Sequence, residues 1–261
     1  MTNWQRTTLG RTGLEVGRLG MAGSYGVPAA AVERAFERGV NYLYYGSVRR
    51  GAFALALRNL APRREKFALV VQSYTRIAGL MGWSLERALR KVRSDYADVL
   101  LLGLWNSQPY ERILDAARKL RERGLVRHIA LSSHNRPFIP EIAKHTDVEI
   151  LHVRYNAVHP GAEREVFPLL SGDGSRPGVV SFTATSWGQL LKPGKLPAGE
   201  RQPTATDCYR FAMSNPAVDV CLSGPANDQH VGAALKALDL GPMHEDELAW
   251  MLRVGKAIHG S

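Results

Sequence analysis

The sequence predicts an α/β fold: a (β/α)8 TIM barrel with an N-terminal β-hairpin plug. Three observations carry that prediction. Short aliphatic or β-branched runs alternate eight times with amphipathic stretches of about 10–15 residues. The chain is 261 residues long, close to the roughly 250 that eight strand–helix units need. The turn after the first strand, Gly20 to Gly26, lacks the G-x-G-x-x-G spacing that opens a dinucleotide-binding doubly wound sheet.

Taken in order, Thr7–Leu19 alternates around Gly10 and Gly13 and reads as the hairpin closing the barrel bottom. The strands follow as Arg18–Met21, Asn41–Tyr45, Phe67–Ser73, Val99–Trp105, His128–Ser132, Ile150–Tyr155, Val179–Thr183 and Val218–Ser223. Runs such as VLLLGLW are near-continuously apolar, as strands covered on both faces must be. Ala29–Gly39 carries apolar residues at helical spacing and stops at a glycine, as does Tyr110–Gly124. Ser84–Arg93 starts at a serine suited to an N-cap. Ala162–Leu170, Thr204–Ser214, Asp228–Leu238 and His244–His259 complete the helices. Ser186–Pro203 is the long irregular connection and reads as a lid. No linker or composition break divides the chain, which reads as a single barrel domain over residues 1–261.

Composition narrows the function. The net charge of +10 comes mainly from arginine, scattered beside acids rather than clustered or interleaved with aromatics, so a nucleic-acid partner is not expected. No apolar run is long enough for a membrane span, so no membrane partner is expected either. The N-terminus has no apolar leader core, and Cys208 and Cys221 stand alone, which makes the cytoplasm the expected location. The eight histidines are dispersed with no ligand spacing, so no metal is expected.

Several motifs occur in a telling order: Leu9-Gly-Arg-Thr-Gly-Leu-Glu-Val-Gly-Arg-Leu-Gly-Met-Ala22, Gly39-Val-Asn-Tyr42, Ser94-Asp-Tyr-Ala-Asp-Val-Leu100, Gly124-Leu-Val-Arg-His-Ile-Ala-Leu-Ser-Ser133, and Tyr155-Asn156 with Glu163 and Phe167-Pro168. Together they resemble the aldo-keto reductases, (β/α)8 oxidoreductases that use NADP(H). The resemblance implies hydride transfer to a carbonyl, with a tyrosine donating the proton, a lysine–aspartate pair tuning it and a histidine orienting substrate.

Carried over position by position, the family's aspartate falls on Tyr44, its tyrosine on Arg49, its lysine on Gln72 and its histidine on Gly103. All four differ, so the resemblance implies a replaced tetrad. Acid–base help is worth about 10²–10⁴-fold, and standard carbonyl reduction is expected to be crippled. For the cofactor, the resemblance assigns Ser132 and Ser133 to the carboxamide, Phe182 to ring stacking, and Gly224 and Asn227 to the phosphate turn. NADP(H) is an open cofactor on these residues, because His230 and Ala234 stand where the family has a basic residue and an asparagine.

Strand ends build TIM-barrel sites. There the sequence places Arg49, Arg50, His134, His152 and Arg154, with Tyr25, Trp105 and Trp187 as aromatic walls. Arginine binds carboxylate or phosphate through two hydrogen bonds, and histidine exchanges protons near neutral pH. Three functions therefore stand side by side. The first is a divergent enzyme acting on a small anionic molecule, with Arg49 and His152 as its active groups. The second is a non-catalytic binding or interaction barrel. The third is an NADPH-dependent oxidoreductase with Tyr44 or Tyr45 as proton donor. His134 reads as a loop residue satisfying backbone groups.

Overall fold

The structure is a computed structural model that describes residues 4–170, 175–193, 196 and 199–259. Two short strands, β1 (Thr7–Thr8) and β2 (Glu15–Val16), pair antiparallel. Eight parallel strands then close a barrel: β3 (Leu19–Ala22), β4 (Tyr42–Tyr45), β5 (Ala68–Gln72), β6 (Ala97–Leu104), β7 (Val126–Ser133), β8 (Val148–Arg154), β9 (Gly178–Phe182) and β10 (Val220–Ser223). They neighbour one another in chain order, and β10 closes onto β3. The chain thus folds as a (β/α)8 TIM barrel with a hairpin at its bottom. Each strand lies within about two residues of the segment its apolar run predicts.

The strands' two-residue period separates two cores. Residues pointing inward, among them Tyr42, Val70, Val99, Ile150, Val180 and Val220, pack into a core inside the barrel. Leu9 and Val16 of the hairpin seal that core from below, both fully buried. Residues of opposite parity, such as Leu43, Tyr45, Val71, Leu100 and Val153, pack outward against the helices.

The helices are α1 (Ala29–Glu37), α2 (Gly51–Asn59), α3 (Ala78–Val92), α4 (Glu111–Glu122), α5 (Phe138–Ala143), α6 (Ala162–Glu165), α7 (Phe167–Leu170), α8 (Ala205–Ser214), α9 (Asp228–Leu240) and α10 (Glu245–His259). They depart from the sequence reading in three ways. The third helix starts at Ala78 rather than Ser84, because burial of Met81 and Leu85 outweighs the low helix propensity of Gly79 and Gly82. The expected helix Ala162–Leu170 divides at Val166 into α6 and α7. Pro168 has no N–H to continue the ladder, so the chain restarts at Phe167. The sequence reading contains neither α2, whose N-cap is Arg50 with no side-chain cap, nor α5, which is six residues long. By contrast, Thr204 caps α8 in a full capping box with Asp207, where that helix was expected to begin. Of the predicted lid, residues 194–195 and 197–198 lie outside the described residues.

Candidate active site

A cavity of about 860 Å³ opens at the C-terminal ends of the barrel strands. Its floor and walls are inward-pointing residues at the top of the barrel interior: Ala22, Tyr44, Gln72, Leu101, Ser132, His152, Phe182 and Leu222. Loops after the strands complete the rim with Ser24, Tyr25, Arg49, His134, Thr183 and Trp187. Gly224 lines it beside Tyr25, whose ring packs so close to the glycine that a methyl there would lie 2.5 Å from a ring carbon. Among the described lining residues there is no Asp, Glu or Lys, and Arg49 is the permanent charge.

Arg49 is exposed and has no ion-pair partner among the described residues. Its φ of +46° is left-handed, as are those of Thr183 (+58°) and Trp187 (+56°) on the rim after β9. Each costs a non-glycine residue about 1–2 kcal/mol, and such strain gathers where loops are shaped for a ligand. The buried Asn156 holds the second loop by donating through Nδ2 to the Thr183 carbonyl at 2.8 Å.

His152 sits on the floor, buried, with Nε2 2.9 Å from the Tyr42 hydroxyl. Burial pushes its pKa down to about 3, so it is neutral at physiological pH. His134 stacks on Phe182 with ring centroids 5.6 Å apart. Its pKa is also lowered, first by partial burial and then by the charge of Arg154. The Tyr44 hydroxyl donates to Gln72 Oε1 and lies 3.2 Å from the Tyr74 hydroxyl. Burial, then the neighbouring Tyr74, raises its pKa above the ordinary phenol value.

The site residues read from sequence divide between this cavity and other places. Tyr25, Tyr44, Arg49, Ser132, His152, Phe182, Trp187 and Gly224 meet in it. Tyr45 lies on the outer face of β4, buried against the helices, with the Arg50 guanidinium 4.4 Å above its ring. Neighbours on a strand point oppositely, so Tyr44 and Tyr45 cannot share the mouth. Ser133 is separated from Ser132 in the same way; its hydroxyl donates to Asn106 and accepts from the Asn135 N–H. Trp105 is buried outside the cavity, its indole donating to the Leu102 carbonyl and Arg76 stacked over it at 4.4 Å. Asn227 caps α9 by accepting from the His230 N–H. Arg154 ends β8 and does not line the cavity, although its charge reaches His134.

Sequence reasoning gave Gln72 only as the position of the family's lysine, with no role of its own, and passed over Tyr209. Gln72 shares its parity with the inward Val70, a signal that would have placed it at the mouth. Tyr209 arrives from α8, and nothing local in the sequence marks it.

A barrel with its ligand-sized cavity at the C-terminal mouth is the general design of TIM-barrel enzymes. Within that class the chain belongs to the aldo/keto reductase family, whose model matches residues 28–192. Among solved structures it is similar to the aldo-keto reductase AKR11C1 from Bacillus halodurans in its holo form, at 21% identity over 97% of each chain with a TM-score of 0.78. It is likewise similar to an aldo/keto reductase from Klebsiella pneumoniae in complex with NADP and acetate, at 19% identity over 97% of this chain and 96% of that one, TM-score 0.78. No curated protein sequence matches it. Among the described residues no group of His, Cys, Asp and Glu could hold a metal, and no helix is long and apolar enough to cross a membrane.

Proposed function

We propose that this family member is a divergent enzyme that moves a proton on a small anionic, aromatic carbonyl compound, and that it does not perform the family's standard carbonyl reduction. One observation carries the reading: the described cavity lining holds one permanent cation, Arg49, one imidazole at the rim, His134, and no Asp, Glu or Lys. Arg49 is the group for the ligand's carboxylate. Trp187, 71% exposed, and Tyr25 offer flat apolar faces for a ring. His134 is neutral at physiological pH and able to accept a proton from carbon next to a carbonyl. His152, held neutral and bonded to Tyr42, takes a structural part rather than the acid–base role its position suggested. Tyr44 is a weak proton donor for an alkoxide: its hydrogen is committed to Gln72 and no lysine in the described lining lowers its pKa.

The test uses phenylpyruvate, which combines a carboxylate, a ring and exchangeable protons beside a ketone. Proton NMR in deuterium oxide should show methylene exchange faster than in buffer alone. Arg49→Ala and His134→Ala should each slow it by about 10²-fold. Exchange at the buffer rate with the wild-type protein would contradict the proposal.

A second reading, NADP(H) binding at the same mouth, is supported by Ser132, Phe182 and Gly224 lining one cavity just before the 13-residue α9. These residues fit the dinucleotide: Phe182 for the nicotinamide face, Ser132 for the carboxamide, and the Gly224 turn with the α9 N-terminus for phosphate. When bound, the cofactor supplies a hydride. Tryptophan quenching on titration with NADPH in the micromolar range would support it, and a flat titration to millimolar would remove it.

A further inference from the structure

We propose that the side-chain amide of Gln72 is the hydrogen-bond donor for the ligand's carbonyl oxygen, aimed by Tyr44 and given room by Gly103; this rests on the proton-transfer reading above. Gln72 is the last residue of β5 and lines the cavity. Its Oε1 accepts the Tyr44 hydroxyl, whose oxygen is also 3.2 Å from that of Tyr74. With the amide oxygen held on the β4 side, Nε2 is turned toward the neighbouring strand β6. There it meets Gly103, where a methyl group would stand 3.2 Å from Nε2. Gly103 has φ +88°, a backbone conformation that suits glycine and keeps that space clear. Among the described residues Nε2 has no hydrogen-bond partner, so its two N–H groups are donors in a cavity wall.

Those donors match the chemistry. As His134 takes a proton from the carbon beside the carbonyl, the C–H electron pair moves into a new C=C bond. The C=O π pair then moves onto oxygen, which becomes negative. Neutral N–H groups in the cavity wall that meet that oxygen would stabilise it without titrating themselves. The proton returns from the imidazole to carbon or to oxygen, so no oxidant or reductant is consumed.

Four variants with wild-type melting temperatures decide the assignment, each followed by phenylpyruvate exchange and by calorimetric phenylpyruvate binding. Gln72→Met keeps the shape and removes the donors; exchange should fall about 10²-fold while binding weakens less than about tenfold. Gln72→Glu, equally isosteric but an acceptor and anionic, should lose both. Tyr44→Phe should slow exchange about tenfold by releasing the amide. Because Tyr44 acts through Gln72, the Tyr44→Phe, Gln72→Met double variant should be no slower than Gln72→Met alone. Wild-type exchange in Gln72→Met, or a double variant slowed by the product of the singles, would overturn the assignment. If Gln72→Met is unimpaired while Arg49→Ala and His134→Ala lose exchange, Gln72 alone fails. A wild-type protein that neither exchanges nor binds phenylpyruvate overturns both.

Discussion

Removal of the buried His152 imidazole links one residue to the pH dependence of the whole fold. Its native pKa of about 3 lies below the roughly 6.5 of an unfolded histidine. Above about pH 6.5 both states are neutral and this residue adds no pH dependence. Between the two values the unfolded chain binds a proton that the native site refuses, so stability falls as pH falls. In His152→Gln the loss of unfolding free energy from about pH 7 to about pH 4 should be smaller than in wild type by up to about 3 kcal/mol. Urea titrations at the two pH values measure it; equal losses in both proteins would show that the imidazole protonates freely in the fold. The same residue shows where residue-level reading succeeds and stops. Parity along Ile150–Tyr155 puts His152 inside the barrel, but its neutrality comes from burial, and its hydrogen-bond partner Tyr42 lies 110 positions away in sequence.

At the scale of elements, the strands were legible because a fully buried strand leaves an apolar run that little else imitates. The candidate site was legible in part, for a reason visible in two pairs and one tryptophan. Tyr44 and Ser132 face the mouth while their neighbours Tyr45 and Ser133 face away, and Trp105 turns outward one residue beyond β6. A motif names a strand end, whereas the pleat decides which of two adjacent residues reaches the ligand. Short helices were poorly legible: α5 has six residues, too few to establish a helical period. Packing also reverses a propensity argument at Gly255 in α10. Alanine normally gains about 1 kcal/mol over glycine within a helix. Here a methyl would lie 2.0 Å from the Ala157 carbonyl oxygen. Gly255→Ala should therefore destabilise by about 1–3 kcal/mol as α10 is forced off the loop after β8. Chemical denaturation tests this, and a stabilised variant would refute the close packing.

Across the whole molecule, much of the arginine excess is tied into the fold's charge pattern. Arg64 reaches the buried Asp98 at 2.7 Å, and Arg118 and Arg121 share Asp147. Arg176 grips Asp219 through two bonds of 2.8 and 2.6 Å, and Asp219 also accepts the Val179 N–H. That carboxylate joins β9 to the segment leading into β10, where the barrel closes. Asp219→Asn leaves Arg176 half-buried without its counter-charge and should cost about 3 kcal/mol, read as a lower urea midpoint. An unchanged midpoint would show that the stability of the fold is independent of the pair. The scattered pairing leaves the mouth as a place where a cation, Arg49, faces a cavity with no acidic group among its described lining residues. On the proposed function this mouth moves a proton instead of delivering a hydride. Incubating the protein with phenylpyruvate and NADPH together in deuterium oxide tests it in one NMR experiment. The expected result is deuterium in the methylene group above the buffer control, with NADPH unchanged. Phenyllactate formed with matching loss of NADPH, and no accelerated exchange, would contradict it.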